Sequence, residues 1–422
     1  MKKTVMKQIK EMTDKIKPDM LPPCEPANMA SPKLTQACQQ FGQVFFQQTS
    51  PEKCYVTGKD LEVAEPGERA TAVLLVVVNK GKACTTPMET LTCELVSEIT
   101  GEKIDCSVKR TEASQYEISY QPTSRGRHQL HIKVEGEHIK DSPFAVTVLK
   151  KFETPIKTIT GVKTPWGHAV NQRGEIVVDE SDENSVAIFS STGEKLQSFG
   201  SPGSGHRLLK TPLCVIVDDD GSILITERDN CRIQKFTSDA KFIRAVGKKG
   251  NKPLEFDTPI GIAIHSHCKK VYVADNGNHH IQILNPDLTF SSSKGSKGSD
   301  SGQFNGPTDV AFDSTGIVYV TDFKNGSVHV ITAEGQYLRQ FRKPGGKLGG
   351  PTSISIDRDN VVDVTEYSNN CVSVFTCEGK FLTSFGTKGS GPGQFSHPRG
   401  IAVDKNGVVY VSDHLNNHLQ LF

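Results

Sequence analysis

The sequence predicts an all-β protein: an immunoglobulin-like sandwich followed by a six-bladed β-propeller, with a short N-terminal helix. Two observations carry this. A proline recurs at positions 165, 212, 259, 307, 351 and 398, in steps of 47, 47, 48, 44 and 47 residues, and opens the same pattern each time. Four short strands at a period near 47 residues describe a propeller blade, and six copies give six blades. Ahead of them, short runs alternate apolar and polar residues with period two between about Pro51 and Lys150. Roughly seven such runs in about 100 residues match a sandwich.

Taken in order, residues 1–17 place Val5, Ile9, Met12 and Ile16 on one helical stripe within a lysine-rich run. That predicts a helix that Pro18 stops. It is either the end of a longer coiled coil or a helix that packs on the domain. Residues 18–50 read as a linker, beginning with the proline-rich Met20 to Pro26. Residues 51–150 form the sandwich, with Tyr116, Ile118 and Tyr120, then Leu130, Ile132 and Val134, then Phe144, Val146 and Val148 on alternating faces. The chain's single tryptophan is Trp166, so no Cys…Trp…Cys arrangement marks an antibody-type domain.

Residues 151–422 form the propeller. The first copy opens as Thr164-Pro165-Trp166-Gly167-His168-Ala169-Val170 and the last as His397-Pro398-Arg399-Gly400-Ile401-Ala402-Val403. The sixth copy ends after three strands, at Leu419-Gln420-Leu421-Phe422, while Pro155 to Gly161 resembles an orphaned fourth strand. Pairing the two closes the ring and hides two edges that would otherwise invite aggregation.

The segments Tyr116-Glu117-Ile118-Ser119-Tyr120-Gln121-Pro122, Gly126-Arg127-His128-Gln129-Leu130 and Ile139-Lys140-Asp141-Ser142-Pro143-Phe144 resemble the filamin-type repeat. The blades resemble NHL repeats, whose naming tripeptide stands here as Asn417-His418-Leu419. A filamin-type repeat followed by NHL blades resembles the C-terminal part of the tripartite-motif NHL family. Members of that family carry RING and B-box zinc domains and act in ubiquitin ligation, and some bind RNA. No such cysteine/histidine spacing stands in these 422 residues. The resemblance therefore implies a scaffold without the family's catalytic module: not an enzyme, with no catalytic residues, no metal and no cofactor.

Charge is balanced, 49 Lys+Arg against 48 Asp+Glu, and residues 151–422 hold 29 of each sign. A neutral domain exerts no long-range pull on phosphate, so RNA affinity would need a local patch. The longest aliphatic run, Val73 to Val78, is too short to span a membrane. The 11 cysteines form no CxxC pair, consistent with reduced thiols in a cytoplasmic protein.

Within the blades, the second strand ends in Glu180, Glu227, Asp275, Asp322, Glu366 or Asp413. Identical placement argues for a structural role, each carboxylate capping the amides of the turn that follows, because a catalytic site is asymmetric. Glycine-rich stretches such as Gly386 to Gly393 lack a phosphate-loop pattern and read as linkers between blades. His168 stands alone where other blades hold Val215, Ile262, Val310, Ile354 and Ile401, so it reads as structural. Family repeats usually place an arginine in each third strand. Here it survives only as Arg232, the counterparts being Ser185, His280, Ser327, Cys371 and His418.

Variation inside this frame marks the candidate binding surface. After each carboxylate stands Ser181, Arg228, Asn276, Phe323, Tyr367 or His414, and after each opening proline Trp166, Leu213, Ile260, Thr308, Thr352 or Arg399. All twelve should face one mouth. The candidate partner-binding residues are Trp166, Arg228, Asn276, Phe323, Tyr367, Arg399 and His414, an aromatic and arginine mixture suited to recognition. A protein partner is expected, with RNA as the alternative and a propeller hydrolase or lyase third. A homodimer would form through the N-terminal helix.

Overall fold

The computed structural model describes residues 49–422 except 59–60, 62, 66–67, 78–85, 87, 99–100, 113, 124, 149–151 and 153. The expected N-terminal helix and most of the expected linker lie outside the described residues. The chain divides into two units, one ending at Val148 and one running from Leu149 to the C-terminus, with Ser124–Gly126 grouped with the second.

In the first unit two sheets face each other. One pairs Tyr55–Thr57, Ala70–Leu75, Gln115–Tyr120 and Ser107–Arg110, in that order. The other runs Val63–Ala64, Phe144–Val148, Gly126–Val134, Leu91–Ser97 and Lys103–Asp105, with Glu137–His138 paired to Gly126–Val134. The alternating residues read from the sequence meet in one core, where Tyr116, Ile118, Leu130, Ile132, Val134, Val146 and Val148 are at most 1% exposed. Burying a side chain of this size is worth about 1.5–3 kcal/mol. Tyr116 brings a hydroxyl inside, which donates to Thr86 O at 2.8 Å and accepts from Thr86 N at 2.9 Å.

The second unit is a ring of six four-stranded antiparallel blades. Each inner strand starts at its repeat proline, from Pro165–Val170 through Pro398–Val403. The register shifts just after that proline, which lacks the N–H a regular ladder would use. Second strands such as Ile223–Glu227 and Val271–Asp275 are buried along their whole length, covered by the neighbouring blades on both faces. Outer strands such as Lys195–Phe199 face solvent.

The sixth blade holds Pro398–Val403, Val409–Asp413 and His418–Leu421, and its outer strand is Lys157–Thr160 from the start of the propeller. Lys157 lies opposite Leu421 and Ile159 opposite Leu419. Ile159 also packs in one cluster with Tyr410, Leu419 and Leu421 of blade six and Ile176 and Val178 of blade one. Linkers between blades carry a buried plug, such as Phe256 and Phe395. Gly386 permits this: its φ is +92°, and a Cβ there would stand 2.4 Å from the Phe395 ring.

Candidate functional site

Pro212 pairs with Glu227 and Pro398 with Asp413, so inner strands begin and second strands end at the same mouth. The blade-to-blade linkers return there as well. Just beneath lie the six carboxylates, none more than 3% exposed. Each accepts the backbone N–H of the residue two before its own blade's opening proline, namely Lys163, Lys210, Asp257, Asn305, Gly349 or Ser396. In five blades a turn asparagine adds its side-chain N–H. This corrects the expected role: the carboxylate gathers the linker 17 or 18 residues upstream rather than the amides of the following turn. Asp322 alone among the six also takes a following-turn amide, from Asn325 at 3.3 Å.

The third-strand position that holds Arg232 faces this carboxylate in every blade. Arg232 Nε donates to Glu227 at 2.6 Å, and its other nitrogens donate to the carbonyls of Ser204, Gly205 and Leu208. In four of the five blades that lack the arginine another group stands in: Lys195 for Glu180, His280 for Asp275, Lys343 for Glu366 and His418 for Asp413. The loss of five family arginines therefore says nothing about charge at the mouth, because the surviving one is turned inward. Among the described residues no group of three or more His, Cys, Asp or Glu is arranged to hold a metal. His168 is buried, with Nδ1 2.7 Å from Ser412 Oγ and Nε2 3.2 Å from Tyr410 O.

The twelve variable positions divide. Leu213, Ile260, Thr308, Thr352 and Ser181 are buried, a correction to the expectation that all present themselves at the mouth. Thr308 and Thr352 turn sideways because their hydroxyls donate to the next blade's opening proline carbonyl, Pro351 O at 2.9 Å and Pro398 O at 3.2 Å. Asn276 likewise donates to Pro307 O at 3.0 Å.

Arg399, Trp166 and Tyr367 come together across three blades. The Arg399 guanidinium carbon lies 3.7 Å from the Trp166 ring centroid and 4.1 Å from that of Tyr367. Cations stacked on aromatic faces in this way gain about 0.5–2 kcal/mol each. His414 meets the Trp166 ring edge at 5.8 Å and shares its Nδ1 with Pro165 O at 3.2 Å. Phe323 lies 6.3 Å from Tyr367. Burial lowers the Arg399 pKa to about 10; Tyr367 opposes that fall and Arg228 adds to it. Burial and Arg399 together lower the His414 pKa. Arg228 itself is paired with Asp229 at 2.8 Å.

His397 belongs to the cluster and was not singled out in the sequence; its ring lies 4.3 Å from that of Tyr367, tilted by 47°. The signal was present. Residues before the opening prolines are Thr164, Thr211, Thr258, Gly306, Gly350 and His397, all with φ between +42° and +82°, and His397 alone is large.

The chain carries a filamin-type repeat followed by NHL repeats, and tripartite-motif proteins are among its relatives. The filamin/ABP280 repeat model matches residues 48–145 and the NHL repeat model residues 304–331 and 395–422. The chain is similar to the E3 ubiquitin-protein ligase TRIM71 of Xenopus tropicalis, 32% identical over 32% of this chain and 18% of that protein. It is also similar to the E3 ubiquitin-protein ligase TRIM45 of Bos taurus, 26% identical over 28% of this chain and 20% of the relative. The matches thus span a fifth or less of those relatives' length. A crystal structure from Bacteroides thetaiotaomicron, titled as a structural genomics protein of unknown function, matches with a TM-score of 0.52 and 13% identity. It covers 89% of this chain and 98% of that one, and shows the fold alone. Among the described residues no helix is long and apolar enough to cross a membrane.

Proposed function

We propose that this chain is a non-catalytic scaffold that captures a protein partner at the linker-bearing mouth of the propeller, as a substrate adaptor does in a ubiquitin-ligase family. The carrying observation is the stack of Trp166, Arg399 and Tyr367, a rigid aromatic and guanidinium surface drawn from three blades. Side chains of this kind, fixed before binding, lose little entropy on contact and dominate interface energies. The carboxylate ring beneath them is fully engaged in holding linkers and supports scaffolding rather than chemistry.

The test is quantitative recovery of bound protein and bound RNA on the immobilised full chain and on three variants. Arg399→Ala and Tyr367→Ala are expected to weaken recovery of partner protein at least about tenfold, equivalent to about 1.4 kcal/mol. Lys405→Ala, in the turn at the opposite mouth, should leave it unchanged. Loss with Lys405→Ala and retention with Arg399→Ala overturns the assignment of the face. RNA as the species recovered, with affinity that falls steeply with salt, overturns the protein-partner reading.

A further inference from the structure

We infer that the pocket beside Arg399 is a receptor for a carboxylate of an acidic protein segment, bound in the plane of the guanidinium. This rests on the reading of the mouth as a protein-binding surface.

Arg399 is held as a cation with nothing to neutralise it. Its flat faces are covered by Trp166 at 3.7 Å and Tyr367 at 4.1 Å, which leaves its N–H edge as the way out. No described residue accepts a hydrogen bond from that edge, and Nε is buried without a partner. A buried donor left unpaired costs about 1–3 kcal/mol, more when charged. Retaining it is reasonable where an external acceptor completes it. Arg228 cannot serve the ligand as fully, since its charge is already met by Asp229. Arg399 lines a cavity of about 350 Å³ with Trp166, Asn184, Thr211, Arg228 and His414. Asp182 also lines it and is the one carboxylate there, set against the two arginines.

The geometry also separates acidic peptide from single-stranded RNA. Stacking of bases needs free aromatic faces. Here Arg399 already takes one face of Trp166 and one face of Tyr367. The guanidinium itself offers in-plane donation, the geometry of bidentate Arg–carboxylate pairing.

The surrounding charge agrees. Although the propeller is neutral in total, its two mouths are not. Linkers at this mouth carry Lys210, Lys249, Lys252, Lys297, Lys347 and Lys388, and several acids beside them are already paired, Glu183 with Lys163 and Glu255 with Lys248. Turns between inner and second strands at the opposite mouth carry Asp218, Asp219, Asp220, Asp313, Asp357, Asp359, Asp404 and Glu175 against Arg173, Lys269, Lys270, Arg358 and Lys405. An acidic segment is drawn to one face and repelled by the other.

Trp166 is the chain's only tryptophan and touches Arg399, so its emission reports on this site directly. The full chain is titrated with an acetylated, amidated hexaglutamate peptide, with hexaglutamine, with inorganic phosphate and with a six-nucleotide uridine RNA. Saturable change with hexaglutamate and none with hexaglutamine is expected. Arg399→Lys, which keeps charge but loses the planar fork, should weaken that response at least about tenfold, and Lys405→Ala should not. Equal responses to both peptides, or an unchanged affinity in Arg399→Lys, overturns the proposal. So does tighter binding of phosphate or RNA than of hexaglutamate. If mouth variants abolish partner recovery while hexaglutamate gives no response, the carboxylate receptor falls and the protein-binding mouth stands.

Discussion

Arg232 and Glu227 face each other across adjacent strands of blade two, with Nε 2.6 Å from the carboxylate and both side chains at most 11% exposed. The pair is the fullest version of a device repeated in every blade, in which a buried carboxylate ties a linker to the blade it opens. Removing one partner of a buried pair leaves an uncompensated charge and typically costs about 3–5 kcal/mol.

Arg232→Ala should therefore destabilise the propeller by about 3 kcal/mol in a denaturant titration. Arg232→His should cost less, since His280 and His418 occupy the equivalent position beside Asp275 and Asp413. Partner binding at the mouth should survive both changes under native conditions. A binding defect in a stably folded Arg232→His variant would show that this arginine reaches ligand after all.

Much of the frame was legible in the sequence because it is local. A proline opening a strand, a carboxylate closing the next and an asparagine in the turn repeat at fixed offsets, and each obeys backbone chemistry readable without a structure. The carboxylate's main partner was not legible, because the amide it accepts lies 17 or 18 residues upstream in a linker. Trp166, Tyr367 and Arg399 were legible as residues of one mouth, but their contact was not, because ring closure and a whole blade separate them in the chain. Thr308 and Thr352 misled because a hydroxyl can leave the mouth to bond a neighbouring blade, while tryptophan and arginine at the same position cannot fit there. Net charge misled too: a total of zero conceals two mouths of opposite sign.

Closure makes the seam between the first and last blades a weak point that depends on four residues, Lys157–Thr160. Ile159 is 2% exposed and packs against both blades. Ile159→Ala should cost about 2–5 kcal/mol through the cavity it leaves. Thr158→Ala, on the same strand but exposed, should cost less than about 0.5 kcal/mol. A chain beginning at Val162 should aggregate or melt without a single cooperative transition. An unchanged melting curve for that shortened chain would mean that the last blade is stable with three strands.

Two buried groups near the axis give opposite pH signatures. Burial lowers the His168 pKa from 6.5 to about 4, despite the Tyr410 carbonyl that favours the charged ring. As pH falls below 6.5 the unfolded chain takes up this proton and the folded one does not, so stability is lost down to about pH 4. Between pH 7 and 5 this amounts to about 2 kcal/mol. Burial raises the Asp309 pKa from 3.8 to about 6, against hydrogen bonds from Ser353 Oγ at 2.6 Å and Ile354 N at 3.1 Å. Its folded form binds the proton first, so its contribution to stability falls as pH rises from 3.8 through 6 and recovers as pH is lowered. His168→Val, which installs the aliphatic type found in the other blades, should remove the acid loss and leave the propeller relatively more stable at pH 5 than at pH 7. Asp309→Asn keeps an oxygen to accept from Ser353 and Ile354, and should do the reverse, stabilising at pH 7 and steepening the decline towards pH 5. Urea titrations of both variants and the parent at the two pH values separate these slopes. Identical pH slopes in His168→Val and the parent would show that His168 takes up its proton within the folded ring.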